Sequence, residues 1–113
     1  NFKLWYDPAN IFFYSDGSLD PVGDATTVDG IVVGMCIKDF MPARGKDTPK
    51  KVDVTPGTGK VDFPAVIARL HKGGFTHGPM LVETLAAKPD LAATLGEAKK
   101  TRNYIEHVIQ EIG

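Results

Sequence analysis

Disulfides, a membrane-spanning run and an excess of charge of either sign are all missing from this sequence. Its one cysteine, Cys36, has no partner in the chain, so no internal disulfide can form. A reducing, cytoplasmic setting is the expectation. No apolar run approaches the ~20 residues that a membrane-spanning helix needs, and no charged-then-apolar leader opens the chain. Lys and Arg total 13 against 14 Asp and Glu, a formal net charge of −1. Such a balance gives no general attraction for phosphate backbones or anionic lipid, so neither nucleic acid nor a membrane is an expected partner. Internal repeats and low-complexity segments are absent as well. What is present, 42% apolar and 24% charged residues over 113 positions, is the composition of one ordinary globular domain. The chain opens in mid-pattern at Asn1-Phe2-Lys3-Leu4-Trp5-Tyr6, without Met, as expected of a fragment or a processed product.

Phe2 to Tyr6 is aromatic and apolar and suits a strand that stops at Asp7-Pro8. Pro8 fits the first turn of a helix over Ala9 to Tyr14, and Asp20-Pro21 opens a second short helix reaching about Thr27. Ile31 to Ile37 is a continuous apolar run, which reads as a strand buried on both faces. Met41 to Lys51 is polar, with Pro and Gly, and reads as a loop; Thr55-Pro56-Gly57-Thr58-Gly59 reads as a second, tighter one. Asp62 is placed as the N-cap of a helix whose Phe63, Val66, Ile67 and Leu70 share one face, with Gly73-Gly74 as its stop. Gly78 to Val82 is a third apolar run ending in Glu83. Pro89-Asp90 opens the last helix, with Leu91, Leu95, Ala98, Ile105, Ile109 and Ile112 as its expected buried stripe. Strands alternating with helices imply parallel strands and right-handed crossovers, an α/β fold. A complete eight-stranded barrel takes ~250 residues. The pattern therefore suits the last three β/α units of a TIM (β/α)8 barrel, with parallel strands and flanking helices, residues 1–113 forming a C-terminal fragment of it. Three strands cannot close a barrel, so the chain alone is expected to be inactive and either marginally stable or associated.

Polar residues follow the three apolar strands at their C-terminal ends: Asp7, Lys38-Asp39 and Glu83. In parallel α/β folds that end carries ligand-binding and catalytic groups. Alternation puts Trp5 with Asp7, Cys36 with Lys38 and Leu81 with Glu83. If those faces point into one barrel, Asp7, Cys36 and Glu83 converge near its mouth, and two carboxylates with a soft ligand suit a divalent metal. Structural roles stay open for each. Asp7 before Pro8 also fits a helix cap, Cys36 a small buried apolar residue, Glu83 a surface residue, and Lys38-Asp39 a solvated strand end or local ion pair. Gly57-Thr58-Gly59-Lys60 lacks the spacing and the Lys-Ser/Thr ending of a nucleotide phosphate loop. His71, His77 and His107 fall on helices or at the N-terminal side of a strand, where surface roles are expected.

Four segments, in order, carry a resemblance: Asp7-Pro8-Ala9-Asn10; Cys36-Ile37-Lys38-Asp39; Pro56-Gly57-Thr58-Gly59-Lys60-Val61-Asp62-Phe63; and Gly74-Phe75, then Gly78-Pro79-Met80-Leu81-Val82-Glu83. This set resembles the C-terminal portion of the xylose-isomerase-like TIM-barrel superfamily, in its sugar phosphate isomerase/epimerase branch. The resemblance implies a divalent metal (Mn, Mg, Co or Zn) at the barrel mouth, held by Glu, Asp, His and Glu. Asp7 matches the Asp and Glu83 the final Glu. Cys36 stands where the family has His, a departure; a hard, oxygen-rich site suits sugar hydroxyls, so Cys36 is expected beside the metal rather than on it. The family's first Glu lies on a strand that this chain lacks. The resemblance further implies a sugar or sugar phosphate substrate, met by Asn10, Lys38, Arg44, Gly57 and Gly59. The implied reaction moves a proton next to a carbonyl through an enediolate, with Glu83 as one acid/base group. The remainder of the barrel, or a second chain, is the expected partner. Two other readings use the same fold: a metal-free binding domain, for which Cys36 is the best argument, and an apurinic-site endonuclease-like phosphodiesterase, disfavoured because no histidine ends a strand.

Overall fold

A computed structural model describes residues 1–43, 50–83 and 85–113. Three parallel strands form one sheet in the order β1 (Leu4–Tyr6), β2 (Val32–Ile37) and β5 (Met80–Val82). Between them run helices α1 (Pro8–Tyr14), α2 (Pro21–Asp24) with a 3-10 turn over Ala25–Val28, and α3 (Phe63–Lys72); α4 (Leu91–Ile112) follows β5. The helix starts obey local chemistry. Asp7, Asp20, Asp62 and Asp90 each cap the helix that follows with a side-chain oxygen, and the first three are followed by Pro within the first turn. Phe63, Val66, Ile67 and Leu70 are buried on α3, the face that its spacing predicts. Each such side chain contributes about 1.5–3 kcal/mol on full burial.

The sheet has two unlike faces. Register pairs Trp5 with Gly34, Tyr6 with Met35, Cys36 with Leu81 and Ile37 with Val82. Paired residues point to the same side, and side chains alternate along each strand. One face therefore holds Tyr6, Met35 and Ile37, all at most 2% exposed beneath the helices. The other holds Trp5, Cys36 and Leu81. Trp5 and Leu81 are 45% and 53% exposed. The expectation of a strand buried on both faces over Ile31 to Ile37 is thus met on one face only, because the described residues form a helical layer on one side and none opposite.

Two further expectations need correction. The stretch read as a loop over Met41 to Lys51 is strand at both of its described ends, which belong to an antiparallel hairpin pair, β3 (Asp39–Ala43) and β4 (Lys50–Val54), separate from the parallel sheet; residues 44–49 of that reading lie outside the described residues. Phe40 is the buried anchor of this pair, edge-on to Phe12 and Phe13, while Met41 and Val52 are exposed, so the hairpin leaves little trace in hydrophobic patterning. The last helix starts where its cap places it but is turned about its axis. Of the expected stripe, Ile105 is buried, Ala98 and Ile112 are half-buried, and Leu91, Leu95 and Ile109 are exposed. The buried line is Glu97, Thr101, Ile105 and Val108. Tertiary polar contacts decide this rotation: Glu97 accepts from the Thr55 hydroxyl and pairs with Lys88 at 3.6 Å, while the Tyr104 ring packs edge-on to Phe63. A cavity of about 680 Å³ opens between α3, α4 and β5, lined by Ile67, Phe75, Met80, Val82, Ile105 and Ile109.

Candidate functional site

Asp7, Lys38 and Glu83 each follow directly on the end of one parallel strand, and the alternation of β1, β2 and β5 sends them, with Cys36, to the open face. One ligand atom from each of Asp7, Cys36 and Glu83 lies within 4.8 Å of the others. Among the described residues this is the one His/Cys/Asp/Glu group close enough to share an ion. The three histidines are exposed and outside it. Parallel topology makes this convergence possible, because every strand presents the same end to the same edge.

Lys38 lies within this group. Its side chain is 8% exposed, and its ammonium is 3.0 Å from Asp7 Oδ2 and 3.4 Å from both Oε1 and Oε2 of Glu83. It bridges the two carboxylates. Burial pulls the Lys38 ammonium down, but the hydrogen bond and charge of Asp7, joined by Glu83, more than offset this and hold it above its ordinary range. Burial, then the Asp7 charge and the hydrogen bond and charge of Glu83, push the Cys36 thiol up, with Lys38 opposing. Cys36 is therefore a protonated thiol near neutrality rather than a ready thiolate. Asp7 has two jobs at once. Its Oδ2 faces Lys38, and its Oδ1 accepts from the backbone N–H of Asn10 at 3.0 Å as the cap of α1. The cap and the site are compatible because the two oxygens point to different partners. Asn10 touches the site through that backbone bond. Arg44 lies outside the described residues.

Asp39, one residue on, is 1% exposed, so it is not a solvated strand end, and it forms no ion pair among the described residues. Its carboxylate accepts from four backbone N–H groups: Phe40 at 2.9 Å and Val61 at 3.1 Å on Oδ1, Gly57 at 3.0 Å and Gly59 at 2.8 Å on Oδ2. It thereby ties the Gly57–Val61 turn to the start of β3. Both glycines have packing reasons to be glycine. A Cβ on Gly59 would meet Asp39 Oδ1 and, at 2.5 Å, the Phe40 carbonyl. Gly57, at φ +96°, lies under the Tyr104 ring, 2.7 Å from where a Cβ would stand. The Asp39 role was absent from the sequence reading. Its signal is an Asp directly after an apolar strand with a Gly-x-Gly turn 18 to 20 residues later, a spacing that gains meaning only once the chain folds back.

Set beside known proteins, the sequence matches no family model and no curated protein. Solved structures do match. A xylose isomerase domain protein from Planctomyces limnophilus superposes over 99% of this chain with a TM-score of 0.76 and 25% identity, the match spanning 39% of that protein's chain. A xylose isomerase domain protein from Alicyclobacillus acidocaldarius subsp. acidocaldarius superposes over 97% with a TM-score of 0.69 and 19% identity, spanning 38% of its chain, a likeness of fold. No helix among the described residues is long and apolar enough to cross a membrane. The protein is thus xylose-isomerase-like in its architecture, with three parallel strands and flanking helices that reproduce a part of that TIM barrel along nearly the whole of this chain.

Proposed function

We propose that the chain supplies one side of the active site of a metal-dependent sugar or sugar phosphate isomerase or epimerase, working in the cytoplasm. The observation that carries this reading is the convergence of Asp7, Cys36 and Glu83 at the C-terminal ends of neighbouring parallel strands. Two carboxylates and a sulfur suit a divalent cation, Mn, Mg, Co or Zn, and other strands would have to complete its shell. When bound, that cation would polarise a carbonyl and the hydroxyl next to it. Asp7 and Glu83 would hold it, with Cys36 beside them. Glu83, the more exposed carboxylate at 43%, is the group free to approach substrate, and it would take or return the proton at the carbon next to the carbonyl. A second carboxylate on the opposite face of the substrate would complete an epimerisation. It would come from the remainder of the barrel or from a second chain, which would also cover the exposed Trp5 and Leu81. The test is solvent-deuterium incorporation next to the carbonyl of ketose and ketose phosphate substrates, run on the protein that carries the complementing strands. Metal-dependent incorporation, abolished by Glu83→Gln, is the expected result. Incorporation that is unaffected by Glu83→Gln would remove Glu83 from the chemistry.

One observation favours a second reading, a metal-free binding domain of the same fold. The Lys38 ammonium already lies between the two carboxylates, and the family's histidine position is occupied by a protonated thiol. Calorimetric titration with Mn²⁺ and Zn²⁺ separates the two readings, since the binding domain takes up neither.

A further inference from the structure

We propose that Lys38 is the built-in cation of the Asp7–Glu83 pair, and that a divalent ion binds there only by displacing its ammonium. The inference rests on the reading of this cluster as a metal site and adds a competitor to it. The geometry is that of a bound cation. Lys38 Nζ is 3.4 Å from both oxygens of Glu83, so it sits across the fork of that carboxylate, and it is 3.0 Å from Asp7 Oδ2. The remaining Asp7 oxygen is taken by the Asn10 N–H that starts α1. The cluster's carboxylate oxygens thus already have donors from the chain itself. Its only exposed member is Glu83, and the Lys38 side chain is 8% exposed.

Charge explains why the two occupants exclude one another. Two carboxylates and one ammonium leave a net single negative charge, enough to keep the pair from repelling and the strand ends together. A divalent ion added to the same oxygens would stand within a few ångströms of the ammonium in a partly buried setting, where like charges are poorly screened. The flexible stem of Lys38 allows the ammonium to swing away while its backbone stays in β2's exit. The displaced ammonium then lies close to the metal-bound region and free of its carboxylates, in the state in which it can meet a substrate oxygen. Lys38 would in this way alternate between holding the site and recognising the ligand, and it is a positioning residue in the first state.

The test compares Mn²⁺ binding to the protein that carries the complementing strands and to its Lys38→Met variant by calorimetry, with circular dichroism to check folding. The methionine keeps the length of the side chain and removes its charge. A rise in Mn²⁺ affinity of at least tenfold in Lys38→Met is expected. Equal or weaker binding by the variant overturns the competition and leaves the metal site standing. Binding by neither protein overturns the metal reading and the competition with it. A second measurement uses the unsubstituted protein, again with its complementing strands, and decides the matter if Lys38→Met fails to fold. Acylation of lysines by an N-hydroxysuccinimide ester is followed by mass spectrometry, with and without Mn²⁺. Lys38 should acylate several-fold faster with the ion present, while Lys99 and Lys100 on the exposed side of α4 stay unchanged. An unchanged Lys38 rate at an Mn²⁺ concentration that saturates the chain overturns the displacement.

Discussion

Lys38 and Asp39 are adjacent, both nearly buried, and oppositely charged, yet they do not serve each other. Strand alternation sends them to opposite sides of the chain. Lys38 joins Asp7 and Glu83, whose charges are side-chain charges on other strands. Asp39 joins four backbone N–H groups of β3 and the Gly57–Val61 turn. Backbone donors are fixed in number and cannot be exchanged for an ion or a ligand, so the Asp39 region is a permanent part of the fold. Side-chain charges on three strand ends can be re-partnered. The same chemical problem, a buried charge, is solved rigidly on one side of the chain and exchangeably on the other, and the exchangeable solution lies at the edge where chemistry is expected.

The sharpest way to break this comparison is Glu83→Gln in the assembled enzyme. If the proposed function holds, loss of general acid–base action should lower turnover by ~10²–10⁴-fold, while thermal stability should stay close to that of the parent, because Glu83 is half-exposed and forms no part of the core. Steady-state assays at saturating metal together with a melting curve check both halves. A matching loss of stability would make Glu83 a second Asp39.

Asp39→Ala should do the opposite. Four N–H groups lose a charged acceptor, and hydrogen bonds to charged groups are worth ~1.5–3 kcal/mol each, so the loss should be about 3 kcal/mol or more after water reaches some of them. Urea denaturation of the chain reads this directly. A loss below about 1 kcal/mol would show that the turn holds without its carboxylate. Next in size is Gly59→Ala, whose Cβ would press on Asp39 Oδ1 and the Phe40 carbonyl. Forcing extra volume into such a place costs ~1–3 kcal/mol. The same denaturation experiment checks it, and an unaltered midpoint would return Gly59 to a purely ligand-facing role.

The smallest effect concerns Cys36. Burial and the neighbouring Asp7 and Glu83 hold its thiol up, so the reactive thiolate is scarce near neutral pH. Iodoacetamide should alkylate it several-fold more slowly than a free cysteine in a short peptide. A faster rate would mean that the Lys38 charge, which acts in the other direction, outweighs both carboxylates.

Much of this architecture is legible in the chain. The four Asp caps, the apolar face of α3, the three parallel strands and the pairing of Asp7, Cys36 and Glu83 on one face follow from local rules: a side-chain oxygen before a helix, a period of 3.6, a period of two. The β3–β4 hairpin is not legible because Pro, Lys and Asp interrupt its strands and its buried anchor, Phe40, packs on Phe12 and Phe13, far away in sequence. The rotation of α4 was missed because its apolar stripe is broad, and Thr55, 42 residues from Glu97, helps decide which side turns inward.

By itself, the sequence determined the three parallel strands, where the helices begin, and that Asp7, Cys36 and Glu83 each lie at the end of a strand, since each of these depends on residues a few positions apart. The tertiary structure alone decided what the charged residues do there. Whether Lys38 meets solvent, a substrate or Glu83, 45 residues away, and whether Asp39 ends a strand or pins a turn 18 residues on, depends on which distant groups arrive beside them. A charge in a partly buried place takes the partner that folding brings within about 3 Å, and no local rule fixes that partner.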